Sequence, residues 1–174
     1  MKIWQIVCVV TLLTIVAFNP KVQLFKIFSE QFKVYRNDKT NRVSIYDIIT
    51  FLIIPIILAT IVAFSLSYKE LSEASEIIIT VFSLVATLLL SFLAMLVDKT
   101  TTNNKEKTLV KETFATITID IIYSIFVVFL FAVPLFVKLN TFFEHLFVGM
   151  VAFFIIKILL NIFVILKRVF AVLR

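Results

Sequence analysis

Long apolar stretches alternate with short polar segments over most of the chain. Four of them are residues 47–66, 77–97, 113–137 and 141–166. At about 1.5 Å per residue, each is long enough to cross a hydrocarbon core of about 30 Å. The hydrophobic fraction of 61% exceeds the roughly 45–50% of soluble domains. The pattern predicts an all-α integral membrane protein, a single membrane domain over 1–174 whose four long transmembrane helices form two helical hairpins.

The first apolar run, residues 3–18, is shorter than the other four. A helix of this length covers roughly 24 Å, less than the hydrocarbon core. It is either a fifth transmembrane helix or a helix that lies obliquely in the membrane. Lys2 precedes it, as in a signal peptide, but the small-x-small pattern of a cleavage site is absent from its end. This favours a retained segment, and its crossing stays open.

Residues 21–36 place apolar and basic side chains on different faces of a helix. The apolar positions at helical spacing are Val22, Phe25, Phe28, Phe32 and Tyr35. Lys26, Lys33 and Arg36 occupy other faces. This pattern predicts a basic amphipathic helix in the membrane interface. The alternative is a helix that faces a soluble partner. In both cases the three basic residues are candidate interfacial or partner-binding residues.

Basic residues concentrate in alternate connecting segments. Segment 19–46 holds six Lys and Arg residues, 98–112 holds four and 167–174 holds three, whereas 67–76 and 138–140 hold one each. Because basic loops stay cytoplasmic, the three basic segments and the C-terminus are predicted to lie inside. The abundant Ile, Phe, Lys and Asn fit an AT-rich bacterial gene, so the expected location is the bacterial cytoplasmic (inner) membrane.

Two ionisable residues, Asp120 and Lys157, interrupt the last two spans, and Asn161 follows Lys157 by one turn. Each such group costs roughly 2.5–3.5 kcal/mol to insert, so both are expected to face a partner, a cavity or a pore. They lie at similar depth, about 12 and 15 Å from the predicted cytoplasmic ends. The leading prediction is an ion pair, joined by Asn161, that either locks the hairpin or lines an ion path. The remaining alternative is that Lys157 reaches the interface on its long stem.

Hydroxyl side chains recur at helical spacing in two of the predicted spans. Such residues let helices pack closely, and they also suit a water-filled path; the pattern leaves both alternatives open. The predicted pore-lining or intramembrane polar network consists of Asp120, Lys157, Asn161, Thr80, Ser83, Thr87, Ser91 and Thr116.

The composition excludes several kinds of site. His145, Cys8 and Gly149 are the only His, Cys and Gly. No internal disulfide, no cluster with metal-ligand spacing and no glycine-rich phosphate loop is therefore expected. No catalytic constellation is present either, so we predict neither an enzyme nor a cofactor. The net charge of +6 lies in short loops, which fits membrane orientation better than direct nucleic-acid binding.

Three functional hypotheses follow. The leading one is a pore-forming or membrane-perturbing, ion-channel-like protein that acts as a homo-oligomer, since four or five helices are too few to enclose a path alone. The second is a membrane-embedded binding or immunity subunit that docks a partner through its basic cytoplasmic loops. The third is a small transporter or membrane enzyme in which Asp120 or Lys157 couples to a substrate.

The stretch FKVYRNDKTNRVSIYDIITFLIIPIIL, residues 32–58, and the compact multi-span form with short basic loops resemble the small membrane effectors of bacterial anti-phage defence systems. The resemblance is one of architecture, and no site residue is carried over from it. It implies a membrane-depolarising protein controlled by a cytoplasmic regulatory protein or a nucleotide signal that binds the basic loops. Holins and bacteriocin-immunity proteins share the same outline.

Overall fold

The computed structural model describes residues 45–97, 104–136 and 140–173, with side chains over 45–96, 110–134 and 140–168. Every regular element over these residues is helical. The apolar run 3–18 and the predicted interfacial helix 21–36, with Lys26, Lys33 and Arg36, lie outside the described residues.

We number the helices in chain order. They are α1 (Ile45–Ser65), α2 (Tyr68–Glu73), α3 (Ser75–Val97), α4 (Asn104–Leu130), α5 (Val133–Phe136) and α6 (Thr141–Leu173). Within the described residues, four helices, α1, α3, α4 and α6, are long and apolar enough to cross a membrane. This confirms the predicted class, an all-α multi-pass membrane protein.

Helix α1 contains a π-helical turn, Ile49–Ile53, between two α-helical parts. The Ile54 amide donates to the carbonyl of Ile49, five residues back instead of four. Pro55 follows directly, and because it has no N–H it cannot make the α-helical hydrogen bond to the carbonyl of Phe51. The helix is thus irregular where Pro55 predicts it, and the irregularity is a π turn on the N-terminal side of the proline.

The segment between α1 and α3 is not the plain loop that its acidic composition indicates. Ser67 and Glu70 form a capping box at the start of α2. The Ser67 amide donates to Glu70 Oε2 over 2.8 Å, and the Glu70 amide donates to Ser67 Oγ over 3.3 Å. The Ser-x-x-Glu spacing that signals such a box is therefore the sequence feature that predicts α2.

The predicted span 113–137 is interrupted near its end. Helix α4 ends at Leu130, and the short α5 follows after two residues in a turn. Pro134 explains the break, because it cannot donate to the carbonyl of Leu130 four residues earlier. The Ala132 amide instead donates to the carbonyl of Phe129, three residues back, over 3.0 Å.

The long helices lie in the spatial order α1, α6, α4, α3. Helix α6 packs against α1 on one side and α4 on the other, and α4 packs against α3. The second predicted hairpin, α4 with α6, is therefore a packed pair. Helices α1 and α3, which are consecutive spans in the sequence, pack mainly against α6 and α4 and occupy the two edges.

Buried apolar side chains form three clusters. Two of them join α3, α4 and α6, around Ile117 and around Ile158. The third lies beside α2 around Leu71, and α1 contributes only half-buried side chains to it. Helix α1 instead approaches α6 through small residues, since a Cβ on Gly149 would lie 3.2 Å from the Cβ of Ala63.

Candidate intramembrane polar site

A line of polar side chains runs along the face of α4 that meets α6. Thr113, Thr116, Asp120 and Ser124 have exposed fractions of 1%, 2%, 0% and 0%. Their spacing of three and four residues places them on one side of the helix. Among the residues proposed from the sequence, Thr116 and Asp120 thus share a buried face.

Asp120 makes its direct contact with Asn161 on α6. Asn161 Nδ2 donates to Asp120 Oδ1 over 2.6 Å. The other carboxyl oxygen, Oδ2, and the Oγ of Ser124 one turn further on have no hydrogen-bond partner within the part of the chain that the structure describes. A buried oxygen without a partner costs about 1–3 kcal/mol when neutral and more when charged. This pair of oxygens is therefore the least satisfied polar position of the seam between α4 and α6.

Lys157, which is 6% exposed, contacts α1. Its Nζ donates to the carbonyl oxygen of Phe51 over 2.6 Å and lies 5.7 Å from the centre of the Phe51 ring. Pro55 deprives this carbonyl of its α-helical donor, so the ammonium supplies a charged donor in its place.

The predicted direct ion pair between Asp120 and Lys157 is therefore replaced by two different contacts. The carboxyl group of Asp120 accepts from a side-chain amide, and the ammonium of Lys157 donates to a backbone carbonyl. The proposed network keeps all three residues, Asp120, Lys157 and Asn161, but Lys157 extends it to α1.

Arg168 extends the seam beyond Asn161. Its Nη1 donates to Thr116 Oγ1 over 3.2 Å, and its Nη2 lies 3.2 Å from Glu112 Oε2. The sequence pattern places Arg168 in the basic tail and Glu112 in a polar connecting segment, and it predicts neither of them as part of this site. The sequence feature that could have indicated this contact is the antiparallel register of α4 and α6. If residue 120 lies opposite residue 161, then residue 112, eight positions earlier, lies opposite a residue near 169.

His145 forms a second contact between α6 and α1. Its Nδ1 lies 2.7 Å from the carbonyl oxygen of Ala63, and since a carbonyl only accepts, Nδ1 carries the hydrogen. Ala63 belongs to the last turn of α1, where carbonyls lack helical donors. On α6, His145 lies 12 residues before Lys157. On α1, Ala63 lies 12 residues after Phe51. Helix α6 thus donates to α1 at two carbonyls that are about 18 Å apart along the helix.

The hydroxyl residues proposed on α3 do not join this seam. Thr80, Ser83, Thr87 and Ser91 are all exposed on the outer side of α3. The hydroxyls of Thr80, Thr87 and Ser91 donate to backbone carbonyls of their own helix, four residues back, over 2.8, 2.9 and 3.0 Å. The predicted network is therefore two features: a buried seam between α4 and α6, and an exposed stripe on α3, which we call the α3 hydroxyl stripe.

An apolar surface groove of about 520 Å³ runs along the contact between α1 and α6. Its polar lining residues are Thr60 and His145, and both already bond to backbone carbonyls. Among the described residues, no group of three or more His, Cys, Asp or Glu could hold a metal ion. The groove therefore suits an apolar occupant, and the chemistry of the described chain lies in the buried seam. A comparison of the chain with protein-family models, with curated proteins and with solved structures gives no match.

Proposed function

We propose that the protein acts as a homo-oligomer that forms an ion-conducting pore or otherwise perturbs the membrane. The observation that carries the proposal is the α3 hydroxyl stripe, whose residues point away from the chain's own core. The hydroxyls of Thr80, Thr87 and Ser91 donate within their own helix, but their oxygens can still accept hydrogen bonds. Lipid offers no donor for them, so the exposed hydroxyl face is better used against another copy or against water. The helix that bears it lies at one edge of the four spans, where a second copy has access.

The arrangement of the spans supports a path between copies and not through one copy. In the buried seam, the carboxyl group of Asp120 is 0% exposed and has no access to a path within one copy. Helices in the order α1, α6, α4, α3 place a packed pair in the middle. When several copies are arranged symmetrically around an axis, their edge helices come together. Rings of hydroxyl side chains then line the centre.

Ion flux from vesicles tests the proposal. The purified protein is reconstituted, and the release of a trapped ion is compared for the wild type, for Thr87→Val with Ser91→Ala, and for Leu84→Ala. Leu84 is also exposed on α3 but carries no hydroxyl, so it is the matched control. We expect the double variant to lose flux several-fold and the control to keep it. A monomer in mild detergent with no flux under any condition overturns the proposal.

A second candidate is a membrane-embedded binding or immunity subunit. The apolar groove between α1 and α6 favours it, because a groove of this kind accepts the helix of another membrane protein. Copurification separates the two candidates: a stoichiometric second protein, together with no flux by the chain alone, supports the binding subunit and contradicts the pore.

The cellular setting that we propose rests on the charge pattern and on the architectural resemblance. The chain lies in the bacterial inner membrane with its C-terminus in the cytoplasm, and a regulatory protein or nucleotide signal controls it during phage infection. A reporter fused after Arg174 tests the orientation. Membrane potential measured in infected cells, with and without the gene, tests the defence role; an unchanged potential and unchanged phage yield contradict it.

A further inference from the structure

Asp120 combines full burial with an incomplete set of hydrogen bonds. Its Oδ1 accepts from Asn161, whereas Oδ2 and the neighbouring Ser124 Oγ have no partner in the described part of the chain. An ionised carboxylate in a dry interior needs a donor on each oxygen or a close cation. The observed contacts provide a donor for only one oxygen.

The titratable groups that face Asp120 come from two helices. Helix α4 itself contributes Tyr123 and, two turns earlier, Glu112, which pairs with Arg168 of α6. Helix α6 also contributes Lys157, whose ammonium is hydrogen-bonded to the Phe51 carbonyl of α1. Helix α3 also packs against α4. Among its described residues the titratable side chain is Glu76, which lies in the first turn of the helix.

We propose that Asp120 is an intramembrane proton-binding site, with the proton held on Oδ2 in the arrangement seen here. A proton suits the position better than a metal ion, because hard divalent cations take six or more oxygen ligands and the described surroundings offer two unpartnered oxygens. Ionisable residues within spans are frequent in proton relays.

Release of the proton changes the charge balance between three helices. The O–H bond of the carboxyl group breaks, the electron pair stays on Oδ2, and the proton passes to water. The new carboxylate attracts the ammonium of Lys157, which then leaves the carbonyl of Phe51. That carbonyl lies in the π turn beside Pro55, so proton release weakens the hold of α6 on α1. Its use as a gate rests on the proposed pore function, whereas proton binding itself does not.

Infrared spectroscopy of the protein in lipid measures the proton directly. A protonated carboxyl group has a C=O stretch that is distinct from the bands of a carboxylate. We expect a buried protonated-carboxyl band at neutral pH that disappears as the pH is raised and that is absent in Asp120→Asn. The matched control is Glu144→Gln, a carboxyl removed from the first turn of α6, which keeps the band. The absence of the band in the wild type, or its persistence in Asp120→Asn, overturns the proposal.

A pair of spin labels measures the response of α1. Ile49→Cys and Leu159→Cys, both at exposed positions near the Lys157 contact, are labelled in a Cys8→Ala background. We expect the distance between the labels to increase as the carboxyl band disappears, and to stay constant in Asp120→Asn. A distance that is independent of pH overturns the coupling to α1. A titrating band without ion flux contradicts only the pore function, and flux without the band contradicts only the proton site.

Discussion

Lys157 on α6 donates a hydrogen bond from its Nζ to the carbonyl oxygen of Phe51 on α1 over 2.6 Å. Two features that are unfavourable alone meet in this contact. A buried ammonium needs an acceptor, and the carbonyl four residues before Pro55 cannot receive the α-helical hydrogen bond from residue 55. Because each satisfies the other, the contact fixes α1, an edge helix, against α6 at a defined depth.

The first prediction concerns the coupling between Lys157 and Pro55. Lys157→Met leaves the Phe51 carbonyl without its charged donor. In a Pro55→Ala background the amide of residue 55 can donate to that carbonyl, so the same change costs less. We expect a coupling free energy of unfolding of about 1–2 kcal/mol between the two sites, within the range of contacting residues.

Reversible unfolding of the four proteins of this cycle in mild detergent measures the coupling. Lys167→Met is the matched control, because Lys167 is exposed, and its cost should be the same with and without Pro55. An equal cost of Lys157→Met in both backgrounds contradicts the assignment of the ammonium to the carbonyl that Pro55 cannot bond.

The second prediction concerns the hydrogen bond between the Asn161 amide and the Asp120 carboxyl group. Asn161→Asp removes the donor and puts two carboxyl groups together, which we expect to lower the free energy of unfolding by about 1–3 kcal/mol. Asp120→Asn combined with Asn161→Asp restores an amide opposite a carboxyl group, so most of the loss should be recovered.

The matched comparison is the exchange of Asp120 and Lys157 between α4 and α6. Asp120→Lys with Lys157→Asp restores neither the Asn161 contact nor the donor to Phe51, so we expect no recovery from it. Unfolding in mild detergent measures both double variants. If Asp120→Lys with Lys157→Asp restores stability and Asp120→Asn with Asn161→Asp does not, the interacting pair is Asp120 with Lys157.

Much of the fold follows from the sequence, because hydropathy depends on local composition alone. Apolar stretches of sufficient length locate α1, α3, α4 and α6. The spacing of Thr116 and Asp120 likewise places them on one face before any packing is known. The spacing of the hydroxyl residues predicts that they share one face of α3. It does not predict that this face is exposed, because helical spacing does not show whether a face packs against another helix.

The contacts of Lys157 and α1 are harder to predict, because the acceptor is a backbone carbonyl and leaves no side-chain pattern. Pro55 marks that carbonyl only after α1 and α6 are known to be neighbours. The pairing of α1 with α6 depends on small residues such as Ala63 and Gly149. Because these two helices are not consecutive in the chain, no connecting loop indicates that they are neighbours. The same reason applies to Arg168, since its partners Thr116 and Glu112 follow only from the register of α4 and α6.

The third prediction concerns the close approach of α1 and α6 at Gly149. A Cβ there lies 3.2 Å from the Cβ of Ala63, so Gly149→Ala requires a small shift, while it gains about 1 kcal/mol of helix propensity. We expect a net change near zero. Gly149→Leu adds a side chain that cannot fit, and it should destabilise the protein by about 1–3 kcal/mol.

Ala63→Gly provides the rescue variant for Gly149→Leu, because it removes the nearest atom on α1. Thermal unfolding in the same detergent compares the three variants, with Met150→Leu, next along α6 and partly exposed, as the control. A Gly149→Leu variant as stable as the wild type contradicts the close contact between the two helices.

The fourth prediction concerns the capping box of α2, which lies between the spans. Two hydrogen bonds from Ser67 lower the pKa of the Glu70 carboxyl below its ordinary value of 4.5. The bond from the backbone amide has the larger effect, and the bond from the hydroxyl adds to it. A carboxyl group whose folded pKa is lowered contributes stability that is present above its unfolded pKa and is lost as the pH falls through the folded pKa. Helix α2 should therefore loosen at its start in acid, below about pH 4.5.

The NMR shift of the Ser67 amide as a function of pH measures this titration. We expect a single transition in the wild type, with its midpoint below that of an exposed glutamate. Glu70→Gln keeps an acceptor for the Ser67 amide, as glutamine does in capping boxes, but it carries no titrating group, so the shift should become independent of pH. Glu73→Gln lies in the same helix outside the box and should leave the transition unchanged. A transition that survives Glu70→Gln assigns the effect to another group.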